Sequence, residues 1–352
     1  MKQVHDSHLS FSLIVETENL ASCNPSEIEH LFDSLLNQTK KITEANEVII
    51  GDNGLMPPEI MARMQELIPN LKRIDIKREL TYYQAKNLLA NSATGDIIVF
   101  CDSDCTYTTE WLEAILDSFT IKPDADVIGG ETVIEVKNAY TLAMGLNYML
   151  HRQPSSPELT PIKFYYLNNV AFRREFFSKN PIPDHLKIFR GTCSVHSRVM
   201  RNQGVKIWRN AKARAYHLPP QNLWYYILRF LLMGHDNYWL DRFLTTPLEP
   251  NVVEEAKVEK PLLQQSVKEV KASSTHQRLS LNQRLTRRIH YLTKQFSVYS
   301  EEYNITNTQL ILAVPIVIFT QGLVTLGRLI TQFNSLFSEE PHWLYRFAVL
   351  LD

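Results

Sequence analysis

Asp102 and Asp104 stand two residues apart at the end of the apolar run Ile97-Ile98-Val99-Phe100-Cys101. A run this short and this apolar reads as a strand covered on both faces, as in a parallel sheet. Residues i and i+2 of an extended chain project to the same side, so both carboxylates leave the strand together. Open α/β sheets collect their ligands at that carboxyl edge. Two hard oxygen donors on one side suit a divalent cation such as Mg²⁺ or Mn²⁺, which can in turn neutralise a diphosphate. Asp102, Asp104, Thr106 and Glu113 also match four positions of a calcium loop. Tyr107 stands where that loop needs a glycine, and a strand precedes it where a helix should, so a calcium loop is disfavoured.

The segments that must position this pair alternate between strand and helix. Phe11–Val15 reads as a first strand, and Asn24-Pro25 opens a helix with Ile28, Leu31, Phe32, Leu35 and Leu36 on one face. Glu47–Ile50 reads as a second strand, Pro57 opens a second helix, and Arg73–Ile76 reads as a third strand. Residues 81–91 form the helix that precedes the strand ending in Asp102. This alternation predicts an α/β fold with a mostly parallel, Rossmann-like sheet flanked by helices. Its strand ends carry Glu16, Thr17 and Asn19 from the first strand and Asp52 from the second. A carboxylate such as Asp52 suits the edge of a uracil base or a ribose hydroxyl. Neither Gly-x-Gly-x-x-Gly nor Gly-x-x-x-x-Gly-Lys-Ser/Thr occurs, so a nucleotide bound here needs a cation for its phosphates.

Composition bounds the class. A chain of 352 residues, 44% hydrophobic, accommodates one domain of catalytic size with an appendage, and a net charge of −1 gives no support to nucleic-acid binding. Cys23, Cys101, Cys105 and Cys193 form no Cys-x-x-Cys pair and read as reduced thiols. Met1 is followed by no basic region with a long apolar stretch behind it, so the first domain is expected to stay cytosolic.

Taken in order, these blocks resemble the GT-A glycosyltransferases of family 2. Phe11–Asn19 resembles that family's first strand and Thr-x-Asn turn, with Glu16 where proline is usual. Glu47–Gly54 resembles its second strand, Ala85-Lys86-Asn87 its Ala-Arg-Asn block, and Gly95–Asp104 its Gly-Asp-x-x-x-Phe-x-Asp-x-Asp block. Asn169–Arg174 resembles the acceptor-side segment before its catalytic helix, and the resemblance covers roughly residues 10–218. It implies a nucleotide-diphospho-sugar donor held by Glu16, Thr17, Asp52, Asn87 and Asp102, and a Mg²⁺ or Mn²⁺ ion held by Asp102 and Asp104. It also places His217 where many such enzymes carry a late histidine near the metal. A loop histidine before Pro219-Pro220 is the alternative reading of the same position.

One departure concerns the base that would take the acceptor's proton. The family carries Gly-Glu-Asp where this chain reads Gly191-Thr192-Cys193. His196, with an unperturbed pKa near the working pH, and Asp184 just upstream are the candidates, a satisfied helix-face histidine being the alternative reading of His196. The missing carboxylate also raises an alternative, a degenerate domain that binds nucleotide-sugar or glycan without turnover.

The second half turns toward a membrane. Residues 222–244 are dense in Trp, Tyr and Phe, which suits an interfacial helix, with a core helix as the alternative. Residues 281–296 form a basic amphipathic pattern, and Leu310–Gly327 is eighteen residues without a charge, long enough to cross a hydrocarbon core of about 30 Å. The implied organisation is a GT-A domain over 1–220, an aromatic interfacial helix over 221–248, a charged linker over 249–280 and membrane-associating helices over 281–352. The function expected is sugar transfer to a lipid or glycan acceptor at the cytoplasmic face of the membrane.

Overall fold

The computed structural model describes residues 9–17, 25–148, 150, 159–245 and 281–336. Asn19, Cys23 and the expected linker over 249–280 lie outside the described residues. The first half follows the alternation: β1 (Phe11–Glu16), α1 (Pro25–Leu36), β2 (Glu47–Asp52), α2 (Pro58–Leu67), β3 (Leu71–Asp75), α3 (Tyr82–Asn91) and β4 (Ile97–Asp102). Then come β5 (Cys105–Tyr107), α4 (Trp111–Ile121), β6 (Val127–Val133), α5 (Ala139–Asn147), β7 (Thr160–Ile162) and β8 (Asn169–Arg173). The chain continues through α6 (Arg174–Lys179), α7 (Thr192–Asn202), β9 (Ile207–His217), α8 (Leu223–Thr245), α9 (Leu281–Glu302) and α10 (Asn307–Asn334).

The strands form one sheet in the order β3-β2-β1-β4-β8-β6-β9-β5, with β7 also on β9. Strands β3, β2, β1 and β4 are parallel, while β8 runs against both β4 and β6, so the sheet as a whole is mixed. Side chains alternate across it. Leu13, Val15, Val99 and Cys101 pack against α1, α2 and α4; Ile14, Ile98 and Phe100 pack against α3, α6 and α7. Register then levels the strand ends, since Glu16 pairs with both Gly51 and Asp102. Across the sheet, β5 pairs antiparallel with β9, and His217 stands opposite Cys105.

A third core joins the C-terminal helices to the sheet. Leu142 and Leu146 of α5, Phe230 and Met233 of α8, Tyr299 of α9 and Ala313 of α10 share it. Helices α8 and α10 cross in backbone contact: a Cβ on Gly234 would lie 2.1 Å from the Val324 carbonyl, and one on Gly327 2.0 Å from that of Leu231. Asn147 ties the ends together by accepting from Gln321 at 2.5 Å and Arg288 at 3.2 Å. The expectation of an interfacial helix over 221–248 meets a different arrangement. Most of α8 is buried, including Tyr226, Phe230, Met233, Tyr238 and Leu240, because apolar residues surround it and neighbours cover them; Leu223 and Trp224 at its start are exposed. The exposed apolar surface lies on α10, which buries a narrow stripe of Ala313, Thr320, Gly327 and Thr331. Ile311, Ile318, Phe319, Leu326 and Phe333 remain 49–69% exposed.

Candidate active site at the carboxyl edge of the sheet

The two aspartates of Asp102-Ser103-Asp104 have different surroundings. Asp104 leaves β4 toward β9, where its Oδ2 lies 3.2 Å from Nε2 of His217. The backbone fixes both ends of this contact, because the Leu218 amide donates to the Asp104 carbonyl at 2.8 Å. Nδ1 of His217 lies 2.7 Å from the Leu218 carbonyl, which can only accept, so Nδ1 carries a proton and Nε2 faces Asp104. Burial opposes charge on His217, but the Asp104 carboxylate outweighs it and raises the imidazole to about 9. Burial likewise opposes charge on Asp104, and His217 offsets it, leaving the carboxyl below its usual range.

A ligand oxygen of Asp104, the Cys105 thiol and a His217 nitrogen lie within 4.8 Å of one another. Burial and the neighbouring Asp104 carboxylate push the Cys105 thiol up, so it stays protonated and is a poor ligand. The hard oxygen, and the imidazole nitrogen once the cation displaces its Nε2 proton, fit Mn²⁺ or Mg²⁺ as two members of a coordination shell. A nucleotide's diphosphate and water would supply the rest.

Asp102 is held differently. The Thr81 hydroxyl caps α3, with the Gln84 side chain reciprocating, and this sets Tyr82 and Lys86 a turn apart facing β4. Lys86 is fully buried and ion-pairs with Oδ1 of Asp102, also donating to the Cys101 carbonyl at 2.8 Å. The Tyr82 hydroxyl donates to Oδ2 at 2.6 Å. Both oxygens of Asp102 are thus engaged by α3, whereas those of Asp104 meet the Cys105 thiol and His217. Asp52 is similar: Oδ2 pairs with Arg73 at 3.0 Å, and Oδ1 accepts from the Gly54 amide at 2.8 Å and the Met56 amide at 3.2 Å. A cleft lined by Glu16, Asn53, Arg78, Thr81, Tyr82 and Arg190 opens beside these strand ends. Asn53, not Asp52, faces it.

The remaining expected residues fall in separate places. Glu16 lines the cleft, whereas the Thr17 hydroxyl donates to the Gly51 carbonyl at 2.6 Å and ties β1 to β2. Asn87 points away from the cleft residues of α3: it donates to the Ile182 carbonyl at 2.8 Å and to Asp184 at 3.3 Å, and accepts from the Ile182 amide. His196 lies in the core, 2% exposed, with Nδ1 2.7 Å from the Tyr165 hydroxyl and its ring stacked on Phe172. Burial lowers its pKa to about 4. A sealed imidazole on that face cannot take a proton from an acceptor, which corrects the expectation of His196 as the base in favour of a helix-face histidine. Among the described residues, no hydrogen bond or ion pair joins Asp184 or His196 to Asp104 or His217.

Two arginines add charge that the motifs did not signal. Gly191 has φ +109°, and a Cβ there would lie 2.8 Å from Leu240, so glycine is required at the start of α7. Its amide and that of Thr192 both donate to the Tyr83 hydroxyl. Just before it, the Phe189 and Arg190 amides donate to the two oxygens of buried Asp236 on α8, at 2.8 and 2.9 Å. This turn places the Arg190 guanidinium 4.4 Å over the Tyr82 ring, close enough to help lower the Asp104 pKa. Arg229, one helical turn beyond Tyr225 on α8, is 5% exposed and donates from Nε to the Tyr148 hydroxyl at 3.2 Å. The Tyr148 ring lies 5.2 Å from that of His217. Arg190 was readable only as a basic residue before Gly191; Arg229 reaches the site through the packing of α8, which no motif announces.

A mixed sheet whose parallel strands end at a carboxylate–histidine pair beside a cleft is the arrangement of the GT-A class of transferase folds. Residues 13–180 match the family model described as glycosyl transferase family 2. The glucosyl-dolichyl phosphate glucuronosyltransferase of Haloferax volcanii is 24% identical over 170 residues, covering 41% of this chain and 47% of the relative. The match thus spans about half the length of that relative. Among solved structures, the mannosyltransferase PcManGT from Pyrobaculum calidifontis, in complex with GDP-Man and Mn²⁺, is similar with a TM-score of 0.51 at 13% identity, covering 95% of this chain and 89% of its own. GalNAc-T7 with UDP, GalNAc and Mn²⁺ is similar with a TM-score of 0.50 at 13% identity, covering 76% and 55%. These likenesses concern the fold.

Proposed function

We propose that the protein transfers a sugar from a nucleotide-diphospho-sugar to a lipid or glycan acceptor, assisted by Mn²⁺ or Mg²⁺, at the cytoplasmic face of a membrane. The observation that carries this reading is the Asp104–His217 pair at the sheet edge, beside the cleft and Arg190. Asp104 and Nε2 of His217 would hold the ion, which supplies charge to the diphosphate leaving group. Arg190 is placed to add a second positive charge to that leaving group, and Asp236 positions it through two backbone amides. Asp102, with Lys86 and Tyr82, builds the wall of the donor cleft. Mn²⁺ in the two similar structures, and the lipid-linked substrate in the relative's name, support the cation and the acceptor class.

The helix α10 supports membrane attachment, with 28 residues, a mean hydropathy of 2.1 over its most apolar window and only 17% of that window buried. It lies along α8 and α5 from Ala313 to Thr331, so the aqueous domain flanks its length. This favours a helix embedded along one side in the bilayer surface over one that crosses it. Calorimetric titration of UDP- and GDP-sugars with and without Mn²⁺ tests the donor reading. Cation-dependent binding that Asp104→Ala abolishes is expected; cation-independent binding in both forms would overturn it.

A further inference from the structure

The Arg229 guanidinium is buried without a carboxylate. Only 5% exposed, it has no ion-pair partner within 4 Å among the described residues, and its Nη1 makes no hydrogen bond. The nearby Asp236 carboxylate is already occupied by the Phe189 and Arg190 amides. Nε bonds the Tyr148 hydroxyl, and the aromatic rings of Tyr148 and Phe189 lie 5.4 and 5.7 Å from the guanidinium carbon. A buried cation left in this state is costly, and a bound anion is the partner that stabilises it. The surrounding charges do not supply one. Asp102 is matched by Lys86, while Asp104 is shared with His217 and faces Arg190 as well. A donor diphosphate with its divalent ion would be balanced by Asp104 and Arg190, leaving Arg229 for a second anion.

One turn earlier on the same helix, Tyr226 lines an apolar groove of about 580 Å³. Pro220, Leu223, Pro315, Ile316 and Phe319 complete its apolar walls, and Tyr226 stacks on Phe319 with ring centroids 6.1 Å apart. One end begins at Pro220, three residues after His217, where the Tyr140 hydroxyl bonds the Pro220 carbonyl. The other end reaches the exposed apolar face of α10. A charged subsite beside the reacting groups and an apolar groove one turn away fit a molecule with an anionic head and a long hydrocarbon chain.

We propose that Arg229 and Tyr148 bind the phosphate of a lipid-phosphate acceptor whose chain lies in the Tyr226–Phe319 groove. This rests on the reading of the domain as a glycosyltransferase and narrows its acceptor from lipid or glycan to an anionic lipid. A second copy of the chain seated on α10 would close the groove, so the groove requires that face to meet lipid.

The test measures binding to the full-length protein in neutral detergent, with dodecyl phosphate, inorganic phosphate and UDP·Mn²⁺ as separate probes. Dodecyl phosphate is expected to bind at least about tenfold more tightly than inorganic phosphate, because only it adds buried apolar area. Arg229→Gln should weaken dodecyl phosphate at least about tenfold, with Arg229→Lys recovering part, while UDP·Mn²⁺ affinity moves less than about threefold. Phe319→Asp, at a half-exposed position, should weaken dodecyl phosphate and leave inorganic phosphate and the urea midpoint unchanged. Equal affinity for the two phosphates overturns the lipid chain, and loss of UDP·Mn²⁺ in Arg229→Gln reassigns Arg229 to the donor. Should Arg229→Gln not fold, Tyr148→Phe replaces it, and unchanged dodecyl phosphate affinity there overturns the subsite. Wild-type protein that binds dodecyl phosphate but no nucleotide would instead defeat the transferase reading alone.

Discussion

In the parallel half of the sheet, three buried carboxylates are each matched by a cation from the same half. Glu47 pairs with Lys72 at 2.9 Å, Asp52 with Arg73 at 3.0 Å, and Asp102 with fully buried Lys86. Along the seam between β4 and β9 the matching is incomplete. Asp104 has His217 and the Cys105 thiol, and the buried Arg229 has no carboxylate within 4 Å among the described residues. These three pairs close off the scaffold side, whereas the seam is where the proposed ligands would bind. Charge that a protein leaves unmatched at low exposure marks a binding site better than a motif does.

Removing a scaffold cation should therefore damage folding, and removing a seam group should damage binding. The largest effect is expected for Lys86→Met, which strands Asp102 and should cost about 3–5 kcal/mol in urea unfolding. Adding Asp102→Asn to that variant should recover part of the loss; no loss at all would show that Asp102 is not closed off. Asp104→Ala should cost about 1 kcal/mol of stability, because His217 can become neutral. It should nonetheless reduce Mn²⁺-dependent nucleotide affinity about 100-fold, measured by calorimetry.

Acid should find the scaffold next. Burial raises the Glu47 pKa, but hydrogen bonds from Ser12, Thr94 and Lys72 outweigh it and bring it down to about 2. A carboxyl depressed by folding contributes stability above its unfolded value of 4.5 that is lost as pH falls toward 2. Glu47→Gln should flatten that part of a pH series of urea midpoints. The smallest effect concerns His196. Its pKa of about 4 keeps it neutral at pH 7, and stability should decline as pH falls from 6.5 toward 4. His196→Gln should remove this decline and leave nucleotide affinity unchanged, and a lost affinity would return the residue to the site.

The same contrast governs what could be read from sequence. Strand runs such as Ile97–Cys101 and the helix stripes of α1 and α2 announce the parallel half, since period and hydrophobicity follow from local neighbours. Asp104 and His217 were both legible, one from strand-end spacing and the other from resemblance. The reversed direction of β8 was not, because alternation carries no sign of strand direction. Lys86 stood in view within Ala85-Lys86-Asn87, but its partner depends on how α3 lies on β4. Periodicity placed His196 on a helix without saying which side, and the core took it. Aromatic density suggested an interfacial helix over 221–248, yet covering that segment depends on α10, about ninety residues further on.

The Asn147–Gln321 hydrogen bond spans 174 positions of sequence. Contacts of such separation form late, because the intervening chain must first be gathered. During synthesis α5 and α8 would wait, partly uncovered, until α10 had left the ribosome. Among the described helices, the one with the largest exposed apolar face is therefore also the last to arrive.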